Sequence, residues 1–453
     1  MVNYQAPGVY VEEVPPLASP IAGASTSTPG FIGVIPDTVQ LVAHTQKGDA
    51  DSDIARKYKY VDFSVPAAAG SAHFVTTWSQ FAKLFGDLLG DSTPKATQVT
   101  NPAVNPGQRN LAHAVYGFFN NGGAGCYVAR VAAEGDLLKA LTTFAAIDDI
   151  SMVAAPGLTS AARYADLEGH CAKLHDRVAI LDAVQTDDPA TDFASGTFTA
   201  LANPTSNQPP GLRPSDSPYA AVYFPWIQVF DPGKLLIQQG DVLLWKAAQL
   251  ASPPPPPTPP PPPPDGLIYV SPSGHMAGIW ARVDNTRGVF KAPANEVVQG
   301  AVGLRWRISG ADQEKLNPSG VNIIRALNGA IRVWGARTVG GDANGNFKYL
   351  STRRYFNYLR KSIEQGTQWV VFEANGRSLW KRIVRSVDAF LLNEFHNGAL
   401  FGDTPKQAYF VRCDENTNPA EVRDAGEVII EIGVAILQPA EFVIFRIQQI
   451  TGG

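Results

Sequence analysis

Short apolar runs alternate with helical patterns along the first half of the chain. In Trp78–Gly90 the apolar residues recur every three or four positions, which predicts an amphipathic helix that ends at a glycine. Asn110–Gly123 and Ser160–His175 predict two further helices. The apolar runs that predict strands are Phe31–Ile35, Cys126–Val131, Ile150–Pro156, Arg177–Ala183 and Tyr219–Val229. Strands that alternate with helices are typical of a parallel or mixed sheet covered by helices, so the pattern predicts a mixed α/β (α+β) fold.

The last third of the chain predicts helices followed by strands. Helices are expected at Ser319–Asn328, Thr352–Gly366 and Ser378–Leu400. Two strands follow, Glu427–Ile436 and Glu441–Gln449. Apolar side chains fall on both faces of the second strand, as in a strand inside a sheet, although the chain ends four residues later.

The chain also opens on a strand-like segment. Val9–Val14 follows Pro7 and Gly8, and residues 15–30 after it are rich in Pro, Ser, Thr and small residues, which predicts a flexible linker. An unpaired strand exposes a row of N–H and C=O groups that can pair with another chain. Strands at both ends of a chain therefore favour an assembly protein.

The amino-acid composition argues against several classes of protein. Hydrophobic residues make up 45% and charged residues 17% of the 453 residues, and the net charge is −4, which argues against a nucleic-acid binder. The three cysteines are widely spaced, so we expect no disulfide framework. Neither a signal peptide nor a run of 18 apolar residues is visible, so we expect a soluble protein that is assembled in the cytoplasm and is not inserted in a membrane.

Residues 253–264 contain eleven prolines and one threonine. Such a run lacks backbone donors, favours the polyproline II conformation and predicts an exposed loop. The favoured interpretation is a tolerated expansion of a surface loop. The alternative is a ligand for an SH3-type domain on a scaffold protein.

Candidate catalytic and metal-binding residues form only weak patterns. Ser273, His275 and Asp284 are the residue types of a nucleophilic triad, but no G-x-S-x-G elbow surrounds the serine, and a glycine-rich turn explains the segment better. Cys171 and His175, four residues apart and close to His170, have metal-site spacing without the third and fourth ligands that a site needs. We therefore predict a helix face there.

Three further segments resemble binding motifs only in part. Gly341–Asn346 starts like a calcium loop but lacks its glycine and its final glutamate, which favours a turn. Asn120–Gly125 lacks the Lys of a phosphate-binding loop. Residues 353–362 ("RRYFNYLRKS") interleave four basic residues with aromatics, for which a solvated helix face is a simpler interpretation than nucleic-acid binding. The sequence thus predicts no enzyme, cofactor or metal site.

Several segments, taken in order, carry a family resemblance. They are "PGVYVEEV", "GFIGVI", "GAGCYVARV", "VAILDA", "SPYAAVYFPWIQVFDP", "VSPSGHMAGIWARVDNTRGVFKAPANEVVQGAVGL", "LNPSGVNIIRALNGAIRVWGARTV", "YLSTRRYFNYLRKSIEQGTQWVVFEANGRSLW", "AYFVRCDENTN" and "PAEFVIFRIQQ". Together they resemble the contractile tail sheath proteins of phages, R-type pyocins and related contractile injection systems. The resemblance covers nearly the whole chain, and the proline run is its main departure.

The resemblance implies a subunit of stacked hexameric rings around an inner tube. On a baseplate signal such rings close up and drive the tube through a target envelope, without ATP hydrolysis by the sheath. The implied partners are further copies of the chain, the tube protein, and baseplate and terminal cap proteins, without nucleic acid. The particle is a phage tail, a released injection particle or a membrane-anchored machine.

The resemblance also implies an architecture for the subunit. An N-terminal arm and linker (1–30) precede outer domains (31–310) that contain a small β-rich insertion (37–75) and the proline loop (253–264). An inner α/β domain (311–440) and a C-terminal β-arm (441–453) follow. The arms pair between neighbouring subunits through two sets of residues: Val9, Tyr10, Val11, Glu12 and Val14, and Phe442, Val443, Ile444, Phe445 and Ile447.

The expected helix Ser378–Leu400 carries three basic residues near its start, Lys381, Arg382 and Arg385. We expect them to face acidic residues of the tube. Solvated ion pairs are individually weak, which suits a tube that must slide free. A helix that simply faces solvent is the alternative.

Overall fold

The computed structural model describes residues 20–44, 58–90, 104–184, 214–249, 259–442 and 444. They fall into two compact units. The large unit contains the described residues of 25–358 and those from 438 onward, and the small unit contains residues 20–24 and 359–437. No helix of the described chain is long and apolar enough to cross a membrane.

Helices and strands alternate as expected for a mixed α/β fold. The strands are β1 Pro29–Val34, β2 Thr38–His44, β3 Tyr58–Ser64, β4 Ala72–Val75, β5 Cys126–Val131, β6 Met152–Ala154, β7 Val178–Asp182, β8 Ala220–Phe224, β9 Ile227–Phe230, β10 Leu267–Val270, β11 Gly303–Leu304, β12 Val321–Leu327, β13 Ala330–Val333, β14 Tyr409–Arg412 and β15 Glu431–Val434. The α-helices are α1 Trp78–Phe85, α2 Pro106–Asn120, α3 Leu137–Ala145, α4 Ala161–Leu174, α5 Pro232–Gln249, α6 Ser273–Arg287, α7 Gly310–Leu316, α8 Leu350–Gly366, α9 Arg377–His396, α10 Pro405–Ala408 and α11 Ala420–Asp424. Short 3₁₀ segments lie at Glu134–Asp136, Asn317–Ser319, Gly341–Phe347 and Gln368–Val370.

An eight-stranded sheet in the order β13-β12-β8-β7-β6-β1-β5-β4 organises the large unit. The strands from β12 to β5 are parallel, whereas β13 and β4 are antiparallel edge strands. Parallel strands need crossover connections, and the helices that provide them cover both faces of the sheet. The predicted mixed α/β class is confirmed.

Alternate residues of each strand enter two separate cores. In β1, Phe31 packs into the core that α2 and α6 share, whereas Ile32 packs on the opposite face against α3 and α4. In β7, Ile180 and Leu181 divide in the same way. This period of two explains why the central strands are apolar throughout rather than alternating.

Helices α2 and α6 touch each other through glycines. A Cβ on Gly274 would lie 2.2 Å from the Ala114 carbonyl oxygen, and one on Gly278 would lie 2.5 Å from that of Phe118. The glycine-rich stretch from Ser273 is thus a helix that needs small residues for close packing. Our prediction of a turn at this position was wrong because the glycines are four residues apart on one helix face.

The end of β7 anchors the start of α6. The Asp182 carboxylate accepts hydrogen bonds from the backbone N–H (2.8 Å) and the hydroxyl (2.8 Å) of Ser273, and from the backbone N–H of Gly157 (3.1 Å). Burial raises the pKa of Asp182 to about 6, and these hydrogen bonds oppose the rise. This carboxylate therefore ties the sheet to the first turn of α6.

The segment Ser319–Asn328, which we predicted as a helix, is the strand β12. Its residues Val321 and Ile323 pair with β8, and Asn328 and Gly329 close a tight hairpin to β13. Both turn residues have positive φ, 50° and 76°, as a two-residue hairpin turn requires. The β-branched residues and the Asn-Gly turn outweigh the helical spacing of the apolar positions.

The apolar run Tyr219–Val229 was predicted as one strand but forms two. β8 ends at Phe224 within the eight-stranded sheet, and β9 begins at Ile227 in a three-stranded sheet with β10 and β11. Pro225 lies between them and cannot donate to a ladder, so the run changes sheets there.

The Asp182→Ala variant tests the link between β7 and α6. The substitution leaves two backbone N–H groups without their acceptor, so we expect the free energy of unfolding to fall by about 2 kcal/mol or more. Urea denaturation would measure it, with Asp241→Ala on the exposed side of α5 as the control, expected to change stability by less than about 0.5 kcal/mol. Equal stability of the two variants would contradict the assignment.

Candidate assembly surface

The two described side chains that follow Glu441 are exposed. The side chains of Phe442 and Ile444 are 70% and 80% exposed, although both are large and apolar. Large exposed apolar side chains in sequence are typical of an interaction surface. Of the predicted C-arm, Val443, Phe445 and Ile447 lie outside the described residues, and neither Phe442 nor Ile444 is paired in a strand of this chain.

The predicted N-arm residues Val9, Tyr10, Val11, Glu12 and Val14 lie outside the described residues, as do residues 15–19 of the linker. The end of that linker is held at two points. In the small unit, the Ala24 N–H donates to the Ser362 hydroxyl at 2.9 Å. In the large unit, Arg354 donates to the Thr26 carbonyl at 3.0 Å.

The small unit presents a two-stranded antiparallel sheet. β14 pairs with β15 from Tyr409 opposite Val434 to Arg412 opposite Glu431. Among the described residues no third strand joins this sheet, and Leu400 and Ile436 form an isolated antiparallel bridge just beyond it, so one side of each strand is not paired with another strand. Phe410 on β14 is 54% exposed. Open edges with exposed aromatic residues can accept an extended strand from another chain.

Helix α9 buries one face and exposes the predicted basic residues. Lys381, Arg382 and Arg385 are all exposed, as we expected. Arg382 lies 3.4 Å from Glu373, and its guanidinium stacks over the Trp369 ring at 4.4 Å. These contacts within the small unit compensate part of its positive charge. Whether this face meets a tube stays a prediction.

The basic residues of α8 are structural. Arg354 is buried and forms a two-pronged ion pair with Asp284, with N–O distances of 2.9 and 2.6 Å, and lies over the Trp280 ring. Burial raises the pKa of the Asp284 carboxyl, and Arg354 opposes the rise. Arg353 and Lys361 are also buried, and only Arg360 of the four is exposed. Our prediction of a solvated basic face was therefore wrong.

The possible catalytic triad does not form. The Ser273 hydroxyl donates to Asp182, and Asp284 is bound to Arg354. His275 is buried against Gly117, its Nδ1 atom has no hydrogen-bond partner, and burial lowers the pKa of its imidazole to about 3. A cavity of about 420 Å³ is lined by His275 but by neither Ser273 nor Asp284.

The possible metal ligands are also used elsewhere. Cys171 is buried in the core, where burial raises the pKa of its thiol, and His175 ends α4 in a left-handed conformation. Asp342, in the segment with partial calcium-loop spacing, pairs with Arg337 and Lys348. Within the described ranges no group of His, Cys, Asp or Glu could hold a metal ion.

Two family models match the chain from residue 216 onward. The model of the phage tail sheath protein central domain matches residues 216–339, and that of the phage tail sheath C-terminal domain matches residues 342–450. This chain belongs to the contractile tail sheath family. It is a structural subunit of the sheath of a phage tail or of a contractile injection system.

Curated relatives match over part of their length. The tail sheath protein of Vibrio phage KVP40 is 26% identical over 179 residues, which are 39% of this chain and 26% of that protein. The tail sheath protein of Burkholderia phage BcepMu is 27% identical over 177 residues, 37% of this chain and 36% of that protein. The matched segments thus span only about a quarter to a third of these phage sheath proteins.

Two solved structures match nearly the whole length of this chain. A chain of the six-fold symmetrised anti-feeding prophage baseplate is 25% identical, with a TM-score of 0.64 over 99% of this chain and 100% of that one. A chain of the PVC sheath complex of an extracellular contractile injection system, in its contracted state, is 24% identical, with a TM-score of 0.65 and 99% of both chains covered. The predicted sheath fold is therefore confirmed, whereas the predicted domain boundaries stay a prediction.

Two features were not predicted from the sequence: the strand β14 and the ion pair between Arg337 and Glu441. β14 lies in "AYFVRCDENTN", which the resemblance included but the periodicity did not mark as a strand. Its partner β15 occupies four residues of the predicted strand Glu427–Ile436. Arg337 and Glu441, which meet across 104 positions of sequence, gave no signal at all.

The Arg354→Met variant tests the structural role of the buried cation. Removing one partner of a buried ion pair leaves Asp284 uncompensated, so we expect the free energy of unfolding to fall by about 3–5 kcal/mol. Arg360→Met on the exposed side of the same helix is the matched control and should change stability by less than about 0.5 kcal/mol. If Arg354 served a nucleic-acid site instead, Arg354→Met would leave the free energy of unfolding in urea denaturation unchanged.

Proposed function

We propose that this chain polymerises as stacked hexameric rings around an inner tube and contracts to drive that tube through a target envelope. The exposed Phe442 and Ile444 at the start of the C-terminal arm carry the proposal, because these two large apolar side chains lie two residues apart in a segment that could pair as a strand with a neighbouring subunit. The full-length likeness to a chain of the anti-feeding prophage baseplate supports it.

The arms join the subunits by exchanging strands. Val9–Val14 of one subunit and the segment from Phe442 of another add to an open sheet, for which the edges of β14 and β15 are suited. Each backbone hydrogen bond contributes about 0.5–1.5 kcal/mol net, so an arm of several residues holds on the order of several kcal/mol. Such a joint stays closed while contacts between the folded bodies change during contraction.

The resemblance implies which parts of the subunit face outward and which lie next to the tube. Residues 31–310 supply the outer part of the sheath and residues 311–440 the part next to the tube, with β12 and β13 of the second range belonging to the eight-stranded sheet of the large unit. Further partners are the tube protein, a baseplate and a terminal cap, and assembly takes place in the cytoplasm. The sheath is not an enzyme, and its energy is stored in the extended state when it assembles.

An injection particle is favoured over a phage virion. A chain of the PVC sheath complex of an extracellular contractile injection system matches 99% of this chain in structure, which supports this choice. A virion tail is the second candidate. Particles purified from producing cells decide between them, since only a virion carries a capsid.

Electron microscopy of the purified chain with its tube protein tests the proposal. We expect helical tubes or stacked rings. Monomers under all conditions, with the tube protein present, would contradict it.

Deletion of residues 1–14 tests strand exchange. We expect a folded monomer that forms no sheath, because the missing strand makes contacts only with neighbouring subunits. Deletion of residues 253–264 removes a similar length and serves as the control, expected to fold and assemble. If the N-terminal truncation still formed contractile tubes, the exchange model would be wrong.

Charge reversal at Lys381, Arg382 and Arg385 tests the tube contact. Changing all three to Glu should allow sheath subunits to fold but should abolish co-assembly with the tube at low salt, since the contact is electrostatic. Reversal of three exposed cations of the large unit, Lys83, Lys246 and Arg287, is the matched control. Normal co-assembly by both triple variants would remove α9 from the tube contact.

A further inference from the structure

Glu441, which directly precedes the exposed Phe442, is bound on both carboxylate oxygens. Oε1 accepts from Arg337 Nε at 2.9 Å and from the Asn317 amide at 2.7 Å. Oε2 accepts from Arg337 Nη2 at 2.7 Å and from the Tyr349 hydroxyl at 3.2 Å. Two parallel bonds from a guanidinium are the strongest arrangement available to a carboxylate.

Arg337 is itself held from several sides. Its side chain is 4% exposed, and its Nη1 donates to the Asn317 carbonyl at 3.0 Å and to Asp342 at 3.1 Å. Its backbone N–H and carbonyl are both bound by the side chain of Asn322, at 2.7 and 2.8 Å. Asn322 is fully buried in β12, so the guanidinium that binds Glu441 is fixed to the central sheet.

This ion pair lies just after the point where the chain returns from the small unit to the large unit. After Leu437 the chain belongs to the large unit again, and Glu441 is bound there. The next described side chains, Phe442 and Ile444, face solvent. Burial would raise the pKa of Glu441, but its hydrogen bonds from Arg337 and Asn317 hold the pKa below its ordinary value, so the carboxylate is ionised at neutral pH.

We propose that Glu441, bound by Arg337, is the positioning residue that fixes where the C-terminal arm leaves the large unit and transmits the pull of a neighbouring subunit to the central sheet. The second half of this statement rests on the proposed sheath function; the first half does not. A chain end held only by its exposed apolar side chains would have no defined direction. The ion pair gives it one.

The experiment compares Glu441→Gln with Glu415→Gln in the full chain. Glu415 pairs with Arg377 on the surface of the small unit, so the control removes an exposed Glu–Arg pair instead of the half-buried one. Nitroxide labels at Ile444→Cys and Lys246→Cys, both at exposed residues, report the direction of the arm by pulsed EPR. The native Cys126, Cys171 and Cys413 are buried.

We expect the distance distribution to be narrow in the wild-type and Glu415→Gln chains and at least twice as broad in Glu441→Gln. The protein concentration needed for sheath assembly should rise about tenfold in Glu441→Gln alone, as expected for the loss of charge-assisted hydrogen bonds. Arg337→Lys keeps the positive charge without the two-pronged geometry and should give a smaller broadening, which provides a second test if Glu441→Gln folds poorly.

Two results would overturn the proposal. An unchanged distance distribution in both variants would show that the pair does not position the arm. A broadened distribution with normal assembly would show that the pair does not transmit force. If the wild-type chain itself failed to assemble with its tube, the sheath function would fail, and the distance measurement would still decide the positioning role.

Discussion

Every β-strand must pair its backbone N–H and C=O groups, and this requirement shapes the whole chain. In the large unit the parallel strands satisfy one another, helices cover both faces, and residues 295–298 bond to the outer edge of β13. Other described strands have an edge that no second strand pairs, among them β4 and the β2–β3 pair of the large unit and the β14–β15 sheet of the small unit. The pairing that one copy of the chain leaves incomplete can be completed by further copies, which is the physical basis of a polymer.

Buried charges make the large unit a stable base for such a polymer. Asp182 ties β7 to α6, Arg354 ties α8 to α6, and Arg337 ties the C-terminal segment to β12. Each is a charged group whose hydrogen bonds are satisfied by groups distant in sequence. Removing one partner of such a pair costs far more free energy of unfolding than removing a surface ion pair, so these contacts stabilise the large unit.

The helices and strands that depend on the local pattern of apolar residues were predicted from the sequence. The central strands and α1, α2 and α4 follow from apolar periodicity, and the family follows from ordered motifs. The segment of β12 was mistaken for a helix although its β-branched residues and its Asn-Gly turn favour the strand that pairs with β8 and β13. Long-range contacts decided other features: Arg354 is buried because it pairs with Asp284, which is 70 residues away in sequence. Glu441 was predicted as part of an arm, but its ion pair could not be foreseen because Arg337 is distant in sequence and carries no motif.

The central claim is that the terminal segments pair between subunits. Cryo-electron microscopy of a sheath assembled from the full chain around its tube tests this most directly, by tracing Val9–Val14 and the segment from Glu441 in adjacent copies. We predict that both segments add as strands to a sheet that contains residues of a neighbouring subunit, with Glu441 still bound to Arg337 of its own chain. A map in which both segments fold back and pair within their own subunit would contradict the account.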